Sequence, residues 1–367
     1  MPLTTTPMGL VGAPLCRKRS ECVSCEIGLK RHTVAGRGGH GRRVTPVSRR
    51  VLAMVLRQDL AQVDFGSRRF RLRTGKARGV LEEAGRSFLA GFNAAVSIPV
   101  GDELAAAVDE LAEPLRGFAY EGAGMACAVL DVVGFTGGRN LRRLLSGPAV
   151  AYPHLVHVGA GWAFARLRLR PGWGRPVLDD PLLRWLAWDG YGFHQGFFHS
   201  DRTVAGQAVE SGLTADQRAI RDQGLGRSLW FHECADPEGV ELRIREFQPT
   251  RHGDLWSGVG LAATYAGGAE PDELRLLGSL AGKHRADVAQ GCAFACAARE
   301  LSRIVPAHTE TAAAILAGVS AHEAATWTEK SLSTSADPEG TSRRYMRWRA
   351  GIRILWLESM KGLHSWS

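Results

Sequence analysis

The feature that most constrains this 367-residue chain is an internal repeat. Five short motifs of the first half return in the same order in the second half. The offset between matched residues falls steadily, from 141 (Gly85 to Gly226) to 128 (Gly190 to Gly318). Ordered matches with a slowly falling offset indicate a duplicated unit that has lost a few residues in one copy. The matched segments are Gly85–Leu89 and Gly226–Trp230, Tyr120–Ala126 and Trp256–Ala262, Leu144–Gly147 and Leu276–Gly278, Gly161–Ala165 and Gly291–Ala295, and Gly190–His194 and Gly318–His322.

Each half has the apolar spacing of α-helices. Apolar residues recur with a period near 3.6 in Leu81–Val96 and Asp102–Leu115, and Pro181–Phe198 and Thr309–Trp327 are the equivalent helices of the two halves. Only Val240–Phe247 alternates in the way that predicts a β-strand. We therefore predict a mostly α fold, in which a duplicated helical unit forms two pseudo-symmetric halves around a central apolar cleft.

Charge and composition add a domain plan and exclude some classes of protein. The net charge of +9 is uneven: +8 in residues 1–50, +5 in 51–80 and −4 in 81–367, whereas a nucleic-acid-binding protein should carry positive charge on its folded face. We expect no nucleic-acid partner, no membrane span, no secretion signal and a cytoplasmic location. The predicted parts are a disordered basic leader (1–50), helical half 1 (51–205), helical half 2 (206–335) and a C-terminal basic and aromatic helix (336–367).

Three Gly-x-Gly motifs resemble part of a dinucleotide-binding fingerprint: Gly122/Gly124, Gly159/Gly161 and Gly258/Gly260. That fingerprint needs a preceding strand, and none of the three follows a convincing β segment. Small residues at helical spacing allow two helix backbones to approach closely instead. The motifs therefore predict helix packing.

A comparison of the two halves separates architecture from chemistry, because positions that are polar in only one half are candidates for function. Glu121 lies in an apolar segment and is matched by Ser257. A carboxyl in such a segment either pairs with a base, such as Arg116, or has a raised pKa that suits a general acid. Asp131 is a similar but weaker candidate.

The segment 188–199 is the densest mixture of polar and aromatic residues. Asp189 and His199 are matched by Ala317 and Trp327, whereas His194 is matched by His322 and has an architectural role as an alternative. Our candidate catalytic residues are Glu121, Asp189, His194 and His199. The candidate substrate-binding residues are the aromatic side chains Tyr120, Trp162, Trp185, Trp188, Tyr191, Phe193, Phe197, Phe198 and Trp256.

Metal and cofactor sites have weak signals. His154 and His157 have a spacing that metal ligands can adopt, but no carboxylate follows at the offset that a catalytic zinc site requires. Cys22 and Cys25, with Cys16 and His32 nearby, lack a second Cys pair. We therefore predict neither a metal nor a cofactor, and the motifs of serine hydrolases, P-loop proteins and kinases do not occur.

Several of these segments also resemble a bacterial protein family, the UnbL-type enediyne biosynthesis proteins (domain of unknown function 1702). The resembling stretches are Gly117–Ala126, His157–Ala163, Asp189–Phe198, Gly226–Phe231 and Leu255–Gly268. Members of the family are associated with gene cassettes that convert a polyketide-derived polyene into an enediyne or a related core. The resemblance implies this context and supplies no catalytic residues.

Together, the residues and the resemblance predict a biosynthetic protein that encloses a polyunsaturated apolar intermediate and promotes its rearrangement or cyclisation. Glu121 would be the acid or base, and His194 and His199 would relay protons or orient the substrate. The alternatives are a non-catalytic carrier of an unstable polyene and an unconventional prenyl cyclase that lacks the aspartate-rich metal motif. The expected partners are the apolar substrate, other enzymes of the pathway and a second copy of the chain in a homodimer.

Overall fold

The computed structural model describes residues 53–172, 178–333 and 338–364, and within these segments the regular elements are all helical. The predicted mostly α class is confirmed. The α-helices are α1 (Phe65–Arg68), α2 (Lys76–Ser97), α3 (Asp102–Asp109), α4 (Arg116–Val133), α5 (Arg139–Leu145), α6 (Pro153–Arg166), α7 (Leu186–Phe198), α8 (Ala215–His232), α9 (Pro237–Arg245), α10 (His252–Ala266), α11 (Pro271–Leu280), α12 (Arg285–Ser302), α13 (Ala307–Ala312), α14 (Ala321–Ser333) and α15 (Ser342–His364).

Eight of these helices form a row in which each packs on the next: α2, α4, α6, α7, α8, α10, α12 and α14. Successive helices run antiparallel. On α2 and α4, for example, Gly91 lies against Ala119, whereas Gly122, further along α4, lies against Phe88, which precedes Gly91 on α2. Helix α1 precedes the row, and the other short helices (α3, α5, α9, α11 and α13) lie in the connections between its members.

Paired glycines set the close spacing of the row. Residues i and i+2 of a helix point to opposite faces, so a Gly-x-Gly motif allows close contact with a neighbour on each side. On α7, a methyl group at Gly190 would lie 1.9 Å from the carbonyl oxygen of Val158, and one at Gly192 would lie 1.9 Å from that of Arg221. The two glycines therefore bring α6 and α8 against opposite faces of α7.

The three Gly-x-Gly motifs identified in the sequence pack helices as predicted. A methyl group at Gly122, Gly159 or Gly258 would lie about 2 Å from a backbone carbonyl oxygen of the preceding helix in the row. The prediction of helix packing is confirmed at these positions.

The row curls until its later members meet its earlier ones. The Tyr265 ring on α10 meets the Phe118 ring on α4 edge to face, with ring centroids 5.2 Å apart. On α12, Arg299 donates a hydrogen bond to the carbonyl oxygen of Pro114, just before α4 (2.8 Å). Several helices of the row therefore surround a common interior.

The C-terminal helix α15 packs along α12 and α14. Its buried Arg349 forms an ion pair with Asp254 (2.9 Å) and donates a hydrogen bond to Gln290 (3.1 Å). Trp348 donates a hydrogen bond to the carbonyl oxygen of Thr328 on α14 (2.8 Å). These contacts join α15 to the last helices of the row.

The strand prediction for Val240–Phe247 is wrong, because this region forms helix α9. Its apolar residues Val240 and Ile244 are spaced by four and are both buried, which is a helical pattern. Pro237 occupies the first turn, where a proline is favourable in a helix. The apparent alternation came from a short amphipathic helix.

Three other predicted helices are interrupted. Asp102–Leu115 stops at Asp109 and resumes as a 3₁₀ turn, because Pro114 cannot continue an α-helix. Pro181–Phe198 begins with the 3₁₀ turn Leu183–Trp185, and the α-helix starts at Leu186. Thr309–Trp327 is broken at Gly318, whose φ of +79° ends a π-helical turn before α14 begins.

The duplication of the chain remains a prediction. Helices α7 and α8, on either side of the predicted boundary at 205/206, pack as closely as other neighbours in the row. Through Gly192 and Gly224 their backbones come into direct contact. Two small cavities, of about 30 and 40 Å³, lie in the interior of the described segments. Within the described segments, no helix combines the length and apolar character needed to cross a lipid bilayer.

Candidate functional site

Three ionisable side chains meet in the interior of the curled row: Glu121 on α4, Asp189 on α7 and Arg227 on α8. Arg227 forms an ion pair with Asp189 (N···O 2.5 Å), and a second guanidinium nitrogen lies 3.6 Å from a carboxylate oxygen of Glu121. The Trp162 indole donates a hydrogen bond to the same Glu121 oxygen (3.0 Å). All four residues are buried.

The glycine motifs explain why these polar groups converge. Glu121 and Asp189 each immediately precede a Gly-x-Gly motif, and so do Gln223 on α8 and Ser257 on α10. Because the glycines hold the helices close together, these side chains come within reach of their neighbours. Gln223 donates to Asp189 (2.8 Å), and Ser257 donates to Gln223 (3.1 Å).

Burial controls the protonation of this cluster. It raises the pKa of Glu121 to about 7, although Arg227 and the Trp162 indole oppose the rise. Burial alone would lower the pKa of Arg227, but Asp189 and Glu121 outweigh it and raise that pKa above its ordinary value. Near neutral pH, Glu121 is therefore divided between its acid and carboxylate forms beside a permanent cation.

Glu121 lines an apolar cavity of about 30 Å³, enough for one or two water molecules. Six aromatic side chains, five phenylalanines and Trp162, surround it, and Arg227 is the second ionisable residue in its wall. Arg227 also lies over the Phe193 ring, 4.9 Å from the centroid. The lining residues are Val63, Ala84, Gly85, Phe88, Phe118, Glu121, Trp162, Phe193, Phe197, Arg227 and Phe231.

Of the nine aromatic residues predicted to bind substrate, three line this cavity: Trp162, Phe193 and Phe197. The other six have different surroundings. Tyr120 stacks on Tyr152, Trp185 donates a hydrogen bond to the Gly340 carbonyl (3.3 Å), and Trp188 packs beside Tyr191. Phe198 is half-buried under Arg68, and Trp256 is buried outside the cavity lining.

The structure does not bring the two predicted catalytic histidines to the Glu121 cavity. His194 is buried, and neither ring nitrogen has a hydrogen-bond partner. It contacts Trp162 from outside, and burial lowers the pKa of His194 to about 3, so the ring is neutral. His199 follows the last residue of α7 and is exposed. Asp189 is tied to Arg227 and Gln223, which makes it a positioning group.

Sequence reasoning missed Arg227 and the aromatic residues Phe88, Phe118 and Phe231. The Gly-Arg-Ser match pairs Arg227 with Arg86, so a search for positions that are polar in only one half does not identify Arg227. The partner expected for Glu121, Arg116, instead binds Asp109 (3.3 Å). The polar residue before four of the Gly-x-Gly motifs, at Glu121, Asp189, Gln223 and Ser257, was the available signal for the interior network.

The residues considered for metal binding do not form a centre. His157 donates a hydrogen bond from Nδ1 to the carbonyl oxygen of Pro153 (2.7 Å), and burial lowers the pKa of both His154 and His157. Across the described segments, no group of three or more His, Cys, Asp or Glu side chains is placed to hold a metal ion. Cys16, Cys22, Cys25 and His32 lie outside the described residues.

Comparison with known proteins gives one match. The model of a protein family of unknown function, DUF1702, matches residues 47–355. No curated protein and no solved structure matches the chain. The matched range includes all the residues of the Glu121 cavity.

Proposed function

This chain belongs to the DUF1702 family, and from that premise we propose that it binds a conjugated apolar molecule beside Glu121 and catalyses proton transfer to and from it. The observation that carries the proposal is a buried carboxyl with a pKa of about 7 that faces an aromatic cavity. A general acid or base works best when its pKa is close to the working pH. The resemblance to UnbL-type proteins suggests a polyene of an enediyne-type pathway as the substrate.

The site has the groups that such a proton transfer needs. Protonated Glu121 gives its proton to a terminal carbon of the polyene, and a π electron pair forms the new C–H bond. The remaining cation is delocalised and faces aromatic rings, which attract cations. Glu121, now a carboxylate, is stabilised by Arg227 at 3.6 Å and by the Trp162 N–H.

The same carboxylate completes the reaction. It removes a proton from another carbon of the chain, and the electron pair of that C–H bond restores a double bond. The net change is an isomerisation, or a cyclisation if a carbon–carbon bond forms from the cation before the proton leaves. No external oxidant or reductant is consumed.

Ligand entry requires the cavity to expand, because pockets for small molecules usually have volumes of about 300 Å³ or more. Val63 is the one lining residue that precedes the row of helices, in the 3₁₀ turn Leu60–Val63. Its side chain packs directly on Gly85 of α2. We expect this turn to move when the ligand enters.

Solvent deuterium exchange tests the proposal. The purified protein is incubated with all-trans-decatetraene in D₂O, and deuterium in the hydrocarbon is measured by mass spectrometry. We expect exchange with the wild type, and at least a hundredfold slower exchange with Glu121→Gln, which cannot act as an acid or base. Glu233→Gln removes another buried glutamate, outside the cavity, and should retain the wild-type rate.

The outcomes separate an enzyme from a carrier. Stoichiometric binding of decatetraene without exchange by the wild type would indicate a carrier. Equal exchange by the wild type and Glu121→Gln would show that Glu121 is not the proton-transfer group. Absence of both binding and exchange would remove the polyene proposal.

A further inference from the structure

A second interior cavity, of about 40 Å³, lies on the other side of Arg227. Helices α6, α7, α8, α10, α12 and α15 contribute to its wall. The wall is mostly apolar and includes Leu155, Leu261 and Phe294. Arg227 lines both cavities, so the two are adjacent compartments on either side of one guanidinium group.

Tyr265 gives the second cavity a polar group that has no other role in the structure. Its side chain lines the cavity and is buried, and its hydroxyl oxygen has no hydrogen-bond partner. Buried hydroxyl groups are almost always hydrogen-bonded, because leaving one unpaired is costly. This hydroxyl packs against Gly117 of α4, so it becomes available as a donor to a ligand when the cavity expands.

The position of this hydroxyl is fixed by its neighbours. The Arg299 guanidinium lies over the Tyr265 ring, 3.8 Å from the centroid, and donates a hydrogen bond to the Tyr265 carbonyl (2.6 Å). The Phe118 ring packs edge to face against the Tyr265 ring. A methyl group at Gly117 would lie 2.0 Å from the hydroxyl oxygen, so glycine at this position leaves the space that the hydroxyl occupies.

The charges around the cavity decide which ligand group suits Tyr265. Arg227 and Asp189 line the cavity too, but they form an ion pair with each other. Burial lowers the pKa of His154, the remaining ionisable residue of the wall besides Tyr265, to about 4 and leaves its ring neutral. A ligand carboxylate would lack a free cationic partner there, and burial of an unpaired charge is strongly unfavourable. A neutral carbonyl oxygen needs only one donor, which the hydroxyl supplies.

We propose that the second cavity binds the oxygenated end of an elongated conjugated substrate, with the Tyr265 hydroxyl donating a hydrogen bond to a ketone or aldehyde oxygen of that substrate. The inference rests on the proposed function of the Glu121 cavity. The chain of the substrate passes Arg227, so its hydrocarbon part lies beside Glu121 while its oxygen lies beside Tyr265.

The test compares two probes of equal length, all-trans-decatetraene and the decatetraenone that carries a terminal methyl ketone. Binding is measured by the change in ultraviolet absorbance of the polyene. We expect the wild type to bind the ketone about fivefold more tightly than the hydrocarbon, as one neutral hydrogen bond provides. Tyr265→Phe should abolish this preference and leave hydrocarbon binding unchanged.

Tyr345→Phe is the matched control, because Tyr345 is also a buried tyrosine but lines neither cavity. It should keep the wild-type preference for the ketone. A preference that persists in Tyr265→Phe, or a wild type that binds both probes equally, would overturn the inference while the proposed function stands. Failure of the wild type to bind either probe would overturn both.

Discussion

At the scale of single residues, the arginine of the repeated Gly-Arg-Ser motif has a different role in each of its two copies. Arg86 and Arg227 occupy the same place in the repeated Gly-Arg-Ser motif. The Arg86 side chain is 43% exposed and pairs with Asp64 near the surface. The Arg227 side chain is only 7% exposed and holds Asp189 and Glu121 together. The difference arises from which helices surround the motif.

The two arginines provide a matched test of this difference. Arg227→Met leaves the buried Asp189 carboxylate without its cationic partner, so we expect a loss of about 3–5 kcal/mol in the free energy of unfolding. Arg86→Met removes a solvent-screened ion pair and should cost less than about 1 kcal/mol. Urea denaturation followed by circular dichroism measures both. Equal losses would show that the interior ion pair is not critical for stability.

The raised pKa of Glu121 predicts a particular pH dependence of stability. The folded state binds the proton of Glu121 more tightly than the unfolded state, where the pKa is near 4.5. The resulting stabilisation is complete below pH 4.5 and is lost as the pH rises through about 7. Relative to Glu121→Gln, the wild type should lose about 3 kcal/mol of unfolding free energy across this interval. Denaturant titrations at pH 4, 6 and 8 measure the change.

Glu233 predicts the opposite pH dependence of stability, because its pKa is lowered. His232, Arg243 and Arg71 outweigh the effect of burial and lower the pKa of Glu233 to about 2. Its stabilisation is therefore present above pH 4.5 and lost as the pH falls through about 2. Between pH 5 and 3, the wild type should lose stability relative to Glu233→Gln. A difference between the wild type and Glu121→Gln that is constant from pH 4 to pH 8 would contradict the assigned pKa of Glu121.

At the scale of the helices, the Gly-x-Gly motifs determine which surfaces can approach. In α7 the motif follows directly after Asp189, so the glycines that bring α6 and α8 close also place a carboxylate in the interior. The residue immediately before the Gly-x-Gly motif is a carboxylate on α4 and α7 and a neutral polar residue on α8 and α10. Packing and chemistry are thus encoded in adjacent positions.

The packing role of these glycines predicts that a glycine-to-alanine substitution destabilises the protein at Gly190 and stabilises it at Gly79. In Gly190→Ala the new methyl group would lie 1.9 Å from the Val158 carbonyl oxygen, so α6 and α7 must separate. We expect a loss of at least about 3 kcal/mol. Gly79 on α2 is exposed with open space around it, and Gly79→Ala should stabilise by up to about 1 kcal/mol. Thermal denaturation of both variants shows whether the close backbone contact at Gly190 determines the loss in the free energy of unfolding.

At the scale of the whole molecule, the candidate site crosses the boundary between the two predicted halves. Glu121 and Asp189 precede residue 205, whereas Arg227 follows it. The second cavity likewise combines residues of both parts, such as Leu155 and Tyr265. The site therefore depends on the packing of α7 against α8.

This arrangement predicts that neither half folds alone. A fragment of residues 53–205 would expose the glycine face of α7 and leave Asp189 without Arg227. A fragment of 206–364 would expose the corresponding face of α8. We expect both fragments to lack cooperative thermal transitions in circular dichroism, whereas residues 53–364 unfold in one transition. Cooperative unfolding of either fragment by itself would show that the halves are independent units.

Sequence patterns were sufficient for much of the site. Glu121 stood out because a carboxylate in an apolar helical segment is unusual, and Asp189 because its counterpart in the second half is Ala317; both are buried in the interior. Trp162, Phe193 and Phe197 were included among the aromatic candidates and line the cavity. Periodicity identified the helices well, except where a proline, a positive φ or a short amphipathic helix altered the local pattern.

The sequence by itself determined the helical class, the close packing at the Gly-x-Gly motifs and the unusual position of Glu121, because these depend on residue type and on spacing along one helix. Only the tertiary structure decided that Arg227 is the partner of Glu121 and that His194 and His199 lie outside the cavity. These outcomes depend on how far the row of helices curls and on which faces then meet, and contacts between distant segments are not encoded in the period of any single helix.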